Sequence, residues 1–194
     1  DFASSVSSIQ IQRGVGTSSN GAGAFGATLN LSTHEFNESP YAELNNSYGS
    51  FNTWKNTVKA GSGLLGDHFT IDTRLSHISS DGYIDRASSK LGAFYISGAY
   101  LTKKSSLRLN VFSGKEKTYQ AWNGVLQSDL ANCRTCNSAG TEKPGEPYEN
   151  ETDNYQQDHY QLFYNHEFSD RLSVNAAAFL SRGRGYYEQY KAEE

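Results

Sequence analysis

Apolar and polar residues alternate one by one along most of this chain. Val6, Ile9 and Ile11 are set among polar residues up to Arg13, and Leu29 and Leu31 share one face of the stretch from Thr28 to Thr33, so two short strands are predicted there. From Tyr41 onward the rhythm becomes regular. Ala42, Leu44 and Tyr48 alternate with Glu43, Asn45 and Ser47; Trp54, Val58 and Ala60 with Lys55, Thr57 and Lys59; Phe69, Ile71 and Leu75 with Thr70, Asp72 and Arg74. Further strands are predicted over 91–101, from Leu107 through Val111, from His159 through His166 and from Leu172 through Leu180. Successive side chains on a strand point to opposite faces, so each segment has one apolar and one polar face.

The connections sort by length. Short turns are predicted at 63–67, 102–105 and 169–171, and long loops at 78–90, 114–156 and 183–194. Seven strands of about 8–11 residues, with short turns on one side and long loops on the other, predict an all-β, antiparallel transmembrane β-barrel segment. No helix is predicted anywhere.

Composition strengthens this picture. The chain of 194 residues holds 13 Tyr, 10 Phe and 18 Gly, but 3 Pro and no Met. Its apolar share, 36%, is low for a globular domain, while 13% aromatic residues is far too many for a disordered chain. A barrel with a wet lumen and aromatic girdles has that character. The net charge of −4 gives no basic face for nucleic acid. There is no apolar run long enough for a transmembrane helix, which does not bear on a barrel. Neither a signal peptide nor an initiator Met is present, and the chain is read as a fragment or a processed product.

Few residues suggest chemistry. Gly21-Ala22-Gly23-Ala24-Phe25-Gly26 matches a dinucleotide fingerprint in form, but leads into a strand where that mechanism needs a helix N-terminus. It is read as a glycine-rich turn. Cys133 and Cys136 admit a short disulfide, a free pair or half of a metal site; a zinc site needs a second ligand pair, and none lies close in sequence. The five histidines are scattered, no nucleophile has a base near it, and no enzyme, metal site or cofactor is expected. Tyr119, Trp122, Tyr148 and Tyr155 are the aromatic candidates for ligand contact in and beside the long loop; self-packing of the loops is the plainer account of them.

The order of residues in the first 33 positions carries a resemblance. Ile9-Gln10-Ile11-Gln12-Arg13-Gly14, a small-residue stretch to Asn20-Gly21, then Gly26 and Leu29-Asn30-Leu31-Ser32-Thr33 resemble the C-terminal signature of the plug in TonB-dependent receptors. Val15 stands where that family more often has Pro, and Ala27 where a second Gly is common. Tyr48-Gly49-Ser50-Phe51-Asn52-Thr53 resembles the family's first barrel hairpin. Ala121 to Val125 and Asp153 to Leu162 resemble a loop and strand of receptors for iron complexes in Bacteroidetes.

The resemblance implies that residues 1–36 are the C-terminal part of a plug and that 37–194 begin a 22-stranded barrel, with 114–156 an extracellular loop. It also implies residence in the cell outer membrane, TonB as a partner through a segment not present here, outer-membrane lipid around the wall, and import of a bulky nutrient: an iron–siderophore complex, haem or cobalamin. Arg13, Gly14 and Gly26 are then plug–barrel contacts, with Arg13 paired to a carboxylate of the wall; taken alone, Arg13 reads equally as a solvated turn arginine. Two other functions fit the strands: a passive porin or barrel adhesin, and a soluble β-rich binding module. The first gives no reason for residues 8–33, and strand length argues against the second.

Overall fold

The computed structural model describes residues 6–14, 26–33 and 37–192. Among them there is no helix. Two strands, β1 (Val6–Arg13) and β2 (Ala27–Thr33), form a hairpin of their own. Seven more form one antiparallel meander in chain order: β3 (Tyr41–Gly49), β4 (Thr53–Gly61), β5 (Phe69–Ser80), β6 (Ser89–Leu101), β7 (Ser105–Tyr119), β8 (Thr152–Ser169) and β9 (Leu172–Tyr187). The order and number of barrel strands match the alternation in the sequence, and the fold is a seven-strand segment of an antiparallel barrel.

The register sets two faces. Val58 lies opposite Leu44 and Leu75, whereas Lys59 lies opposite Glu43 and Arg74. The same alternation continues to β9, where Leu180 opposes Tyr160, and Tyr160 opposes Val111. Burial then runs opposite to that of a soluble sheet. On the polar face Thr57, Thr70, Arg74 and Asn110 are each 2% exposed; on the apolar face Ile71 is 54%, Leu75 57% and Leu109 49% exposed. The buried hydrophobic residues are few: Tyr95, Ala99, Tyr119 and Ala139. The polar face is therefore the inside of the curved wall, and the apolar face is built for a non-aqueous solvent.

Polar contacts knit the inner face. Lys59 Nζ lies 3.5 Å from Glu43 Oε2, and the Tyr41 hydroxyl donates to Asp72 Oδ1 at 3.0 Å. Gly61 sits between these two in the register, opposite both Tyr41 and Asp72. A Cβ there would strike the Tyr41 ring and the Asp72 carboxylate, so the strand ends in a residue without a side chain. Farther round, Asn110 Oδ1 accepts from Ser97 Oγ at 2.8 Å.

Strand ends differ from the sequence expectation. The loop expected over 114–156 is confined to 120–151, because β7 and β8 go on pairing as far as Tyr119 and Thr152. The loop at 78–90 shrinks to 81–88, and the exit at 183–194 begins as strand, up to Tyr187. Strands reach 18 residues rather than 8–11. The cause is physical. Above the apolar band the outward rows turn polar (Lys115, Lys117, Asn154, Gln156, Arg182, Arg184), so alternation fades while backbone pairing persists. At about 3.3 Å per residue and a tilt near 40°, a strand as long as β8 climbs roughly 45 Å, well beyond an apolar band of about 25 Å.

The hairpin β1–β2 closes with the Gly14 amide donating to the Gly26 carbonyl at 2.8 Å. Leu31 and Ser32 of β2 share a cavity of about 670 Å³ with inner-face residues that include Arg108, Asn110 and Gln161. The glycine-rich segment 15–25 and residues 34–36 lie outside the described residues.

These two faces generate an expected outcome. In the full-length protein, cysteines placed at Val58, Ile71 and Leu109 should react with a lipid-soluble maleimide, and cysteines at Lys59 and Asp72 with a water-soluble one. Val58→Arg should destabilise the inserted barrel by about 2–4 kcal/mol in reversible unfolding from lipid vesicles, as for a cation near the bilayer midplane. The reverse labelling pattern would mean the register is slipped by one residue.

Candidate functional site

The turn at 50–52, the loops 81–88 and 120–151 and the exit beyond Tyr187 all lie at one end of the sheet; the short connections 62–68, 102–104 and 170–171 lie at the other. The candidate functional site is the long-loop end. It begins with the turn between β3 and β4, where Phe51 and Asn52 both take positive φ, 59° and 52°. Phe51 meets Tyr83 edge-on at 5.5 Å, and its carbonyl accepts from the Asp81 amide at 2.9 Å. The short turn thus props up the loop 81–88.

That loop in turn holds the long one. Arg86 stands at a positive φ of 62°, which turns its side chain onto loop 120–151. Its Nη2 donates to the carbonyls of Asn137 at 2.5 Å and Ala139 at 3.0 Å, and its Nε donates to the Tyr119 hydroxyl at 3.3 Å. Asn137, buried, donates through Nδ2 to the carbonyls of Gln120 and Asp85 and accepts from the Ala139 amide. Tyr119, also buried, donates to the Tyr148 carbonyl at 2.6 Å. Gly140, at φ +79°, passes so close to the Tyr119 hydroxyl and the Tyr148 backbone that no side chain would fit. The exit segment completes the tie. Thr152 and Glu188 exchange both backbone hydrogen bonds, and the Tyr148 hydroxyl donates to Glu188.

The Tyr148–Glu188 bond is charge-assisted and shifts both partners. It pushes the Tyr148 phenol up, and together with an Asn150 contact it holds the Glu188 carboxyl below the usual range. Glu188, depressed when folded, contributes to this tie above the ordinary carboxylate range and loses the contribution in acid. Tyr148, raised when folded, contributes below the ordinary phenol range and loses the contribution in strong alkali. The tie is therefore intact across neutral pH. The loop is a cap with a polar core rather than a slack flap.

The sequence candidates fall into separate groups. Tyr119 and Tyr148 are structural members of the cap. Trp122 is 64% exposed, so its indole is free to meet another molecule. Tyr155 stands apart from the cap, on the inner face, where the register sets it against Gly185; Gly183 and Gly185 give its ring room against the wall. Tyr155 also lines an inner-face cavity of about 330 Å³ with Glu116, Gln157 and His159. Cys133 and Cys136 are joined by a disulfide. Asp85 lies near both sulfurs, but bonded sulfurs offer no thiolate to a metal. At the other end of the chain, Arg13 is exposed opposite Ala27; Gly14 takes a φ of +86°, and Gly26 has open space around it. Arg86 and Asn137, which organise the cap, carry no signal in the sequence beyond an Asp81-Gly82 turn.

Set against solved structures, this sheet has close counterparts in fold. The ferric-catecholate import receptor Fiu of E. coli K12, in its open form, matches 92% of this chain with a TM-score of 0.76 at 15% identity. Its closed form matches 84% with a TM-score of 0.68. FpvA of P. aeruginosa, bound to a heterologous pyoverdine and iron, matches 95% with a TM-score of 0.64 at 13% identity. The fold is that of the corresponding segment of these import receptors. This chain spans 29%, 24% and 33% of those three chains, so it corresponds to about a third of such a receptor or less. No family model and no curated protein matches the sequence.

The cap generates its own expected outcome. In the full-length protein, Arg86→Ala removes three hydrogen bonds at once and leaves the carbonyls of Asn137 and Ala139 without that donor. Cleavage within 120–151 by a protease added outside should accelerate about tenfold or more, as for loss of one to two kcal/mol of local stability. Barrel migration on a semi-native gel should not change, and Trp122→Ala should leave cleavage unchanged. Equal cleavage in Arg86→Ala and the parent would show that the cap is held by other contacts.

Proposed function

We propose that this chain is part of a TonB-dependent receptor of the cell outer membrane, one that imports a bulky iron complex, most simply an iron–siderophore. The single observation that carries the reading is the sheet's inverted burial, apolar rows outward and a polar network inward, in the fold of receptors that handle ferric catecholates and ferric pyoverdine. Haem or cobalamin would require the same wall; the iron-complex neighbours favour the siderophore.

In this reading residues 1–36 are the end of the plug and 37–194 the start of the barrel. The hairpin β1–β2 fits the role, since β2 shares a cavity with the inner face. Gly14 serves its turn through a left-handed backbone, and Arg13 ties the plug to a wall carboxylate. Trp122 and Tyr155 are the residues free to touch the imported complex, one on the cap and one on the lumen wall. The protein is a transporter and not an enzyme. Its partners are the nutrient complex, lipid, and TonB through a segment beyond these residues.

Two measurements test this reading. Cells that depend on the full-length receptor for iron should take up a labelled ferric siderophore only with TonB present. Deleting residues 126–150 should lower uptake at limiting ligand while the barrel still assembles. In a planar bilayer the parent receptor should be closed. Arg13→Ala should open it more often, by a modest factor, since an ion pair at a wet interface is worth only about 0–1 kcal/mol. Gly14→Val should perturb the plug through its positive φ, and Gly26→Ala should not. A parent barrel that conducts freely would replace this reading with a passive porin.

A further inference from the structure

The outward face of β6–β9 changes character abruptly toward the long-loop end. One cross-strand row reads Ile96, Val111, Tyr160, Leu180, all apolar. The next reads Phe94, Ser113, Asp158, Arg182; the one above it Gly92, Lys115, Gln156, Arg184; and the next Lys90, Lys117, Asn154, Tyr186. Within three rows Lys90, Lys115, Lys117, Arg182 and Arg184 gather, all exposed. Two carboxylates belong to the same surface. Asp158 lies 3.8 Å from Arg184 and also accepts from Ser113 and Gln156, and Glu188, one row higher, is engaged by Tyr148. The patch keeps an excess of positive charge in a chain whose net charge is −4.

The position of the patch matters as much as its sign. Cations that serve an imported anion would face the lumen; these alternate onto the same face as Leu109, Leu162 and Leu180. They sit one to three rows above the apolar band, at the level where a bilayer's headgroups meet water. The cap closes the patch from above, since Lys117 Nζ donates to Asn150 Oδ1 of the long loop at 2.7 Å. Between these limits lies a cleft of about 340 Å³ lined by Lys115, Gln156, Arg184 and Tyr186 among others. It offers two cations, an amide donor and an aromatic ring, a set suited to a phosphate attached to an apolar body. Gly92 leaves the near side of the row open.

We propose that this outward cleft binds the phosphate of an anionic outer-leaflet lipid, with Lys115 and Arg184 as the central contacts, Arg182 and Lys90 at the flanks, and the lipid's chains lying along Leu109, Leu162 and Leu180. The site rests on the reading of the chain as an outer-membrane barrel. It would fasten the wall to its lipid directly beneath the cap.

The experiment uses the full-length receptor in zwitterionic detergent, with lipid A bearing both phosphates as probe and native mass spectrometry as readout. The same lipid without phosphates, and inorganic phosphate alone, serve as comparisons. The parent should retain the phosphorylated lipid, bind the dephosphorylated one at least tenfold more weakly, and show no comparable affinity for inorganic phosphate. The variant Lys115→Gln/Arg182→Gln/Arg184→Gln should lose at least about tenfold in affinity, given the usual contribution of each cation near an anionic surface. The variant Lys55→Gln/Lys59→Gln, which removes charge from the inner face, should bind like the parent, and Arg184→Lys should retain most of the binding. Equal losses in the inner-face variant, unchanged binding in the outward variant, or saturation by inorganic phosphate alone would each overturn the proposal. A receptor that does not fractionate with the outer membrane would instead remove the reading beneath it. Should the triple variant fail to fold, Lys115→Gln alone, compared with Lys55→Gln, decides the matter.

Discussion

Everything in this chain depends on which solvent the apolar rows meet. In water, Ile71, Leu75, Leu109 and Leu180 would be a large exposed apolar surface, the kind that drives aggregation. In a bilayer the same rows carry little penalty, and the constraint moves to the backbone. Each strand must give all of its amides and carbonyls to its neighbours, because lipid offers none. The meander β3–β9 does this internally. Its outermost strands, β3 and β9, are paired on one side only among the described residues, and a strand edge left open in lipid would leave its backbone groups unsatisfied. The polar inner face then follows: with apolar side chains committed outward, alternate positions must face a wet lumen, and Lys59–Glu43 and Tyr41–Asp72 satisfy one another there.

A second consequence concerns the height of the wall. β7 and β8 are longer than a bilayer requires, and the excess lies toward the long loops. A loop of this length anchored at the membrane surface would have a large entropy to lose on ordering. Anchored on protruding strands, it meets fixed partners: Tyr119 and Thr152 at its two ends, Arg86 from the neighbouring loop and Glu188 from the exit. Each partner orders a different stretch, so the cost of ordering is shared among several hydrogen bonds. Trp122 is left outside this set, exposed on a hydrogen-bonded framework.

How much of this was legible in the residues follows from where alternation is enforced. Within the band, lipid on one side and water on the other make each position of β4, β5 or β9 choose, and the strands, their faces and the short turns can be read directly. Above the band both sides are wet. Lys115, Glu116 and Lys117 are then equally acceptable in strand or loop, so the upper ends of β7 and β8 read as loop although they are paired. The cap was illegible for a different reason. Arg86 acts through a left-handed backbone and through carbonyls some fifty residues away, at Asn137 and Ala139, and neither leaves a periodic trace. Tyr119 and Tyr148 drew notice as aromatics, but nothing local distinguishes an aromatic that holds a loop from one that meets a ligand. Tyr155 differs from them through Gly183 and Gly185 of the next strand, which are 28 and 30 residues distant in sequence and brought beside its ring only by the register.

One strand therefore obeys three sets of rules along its length. On β8, Tyr164 and Leu162 answer to lipid, Gln161 and His159 to the lumen, and Asp158, Gln156 and Asn154 to the zone above the band, where outward polar residues are stable again. The same chemical change has a different meaning at each level. A cation at Leu162 would have to leave water, whereas a cation on the neighbouring strand at Lys115 sits where headgroups and water both reach it. The boundary lies between the Tyr160 and Gln156 rows, and it is drawn by side chains alone, since the backbone pairing runs through it unchanged. A barrel wall of this kind fixes its depth in the membrane by where its outward rows change chemistry, and its strands are free to be longer than the membrane is thick.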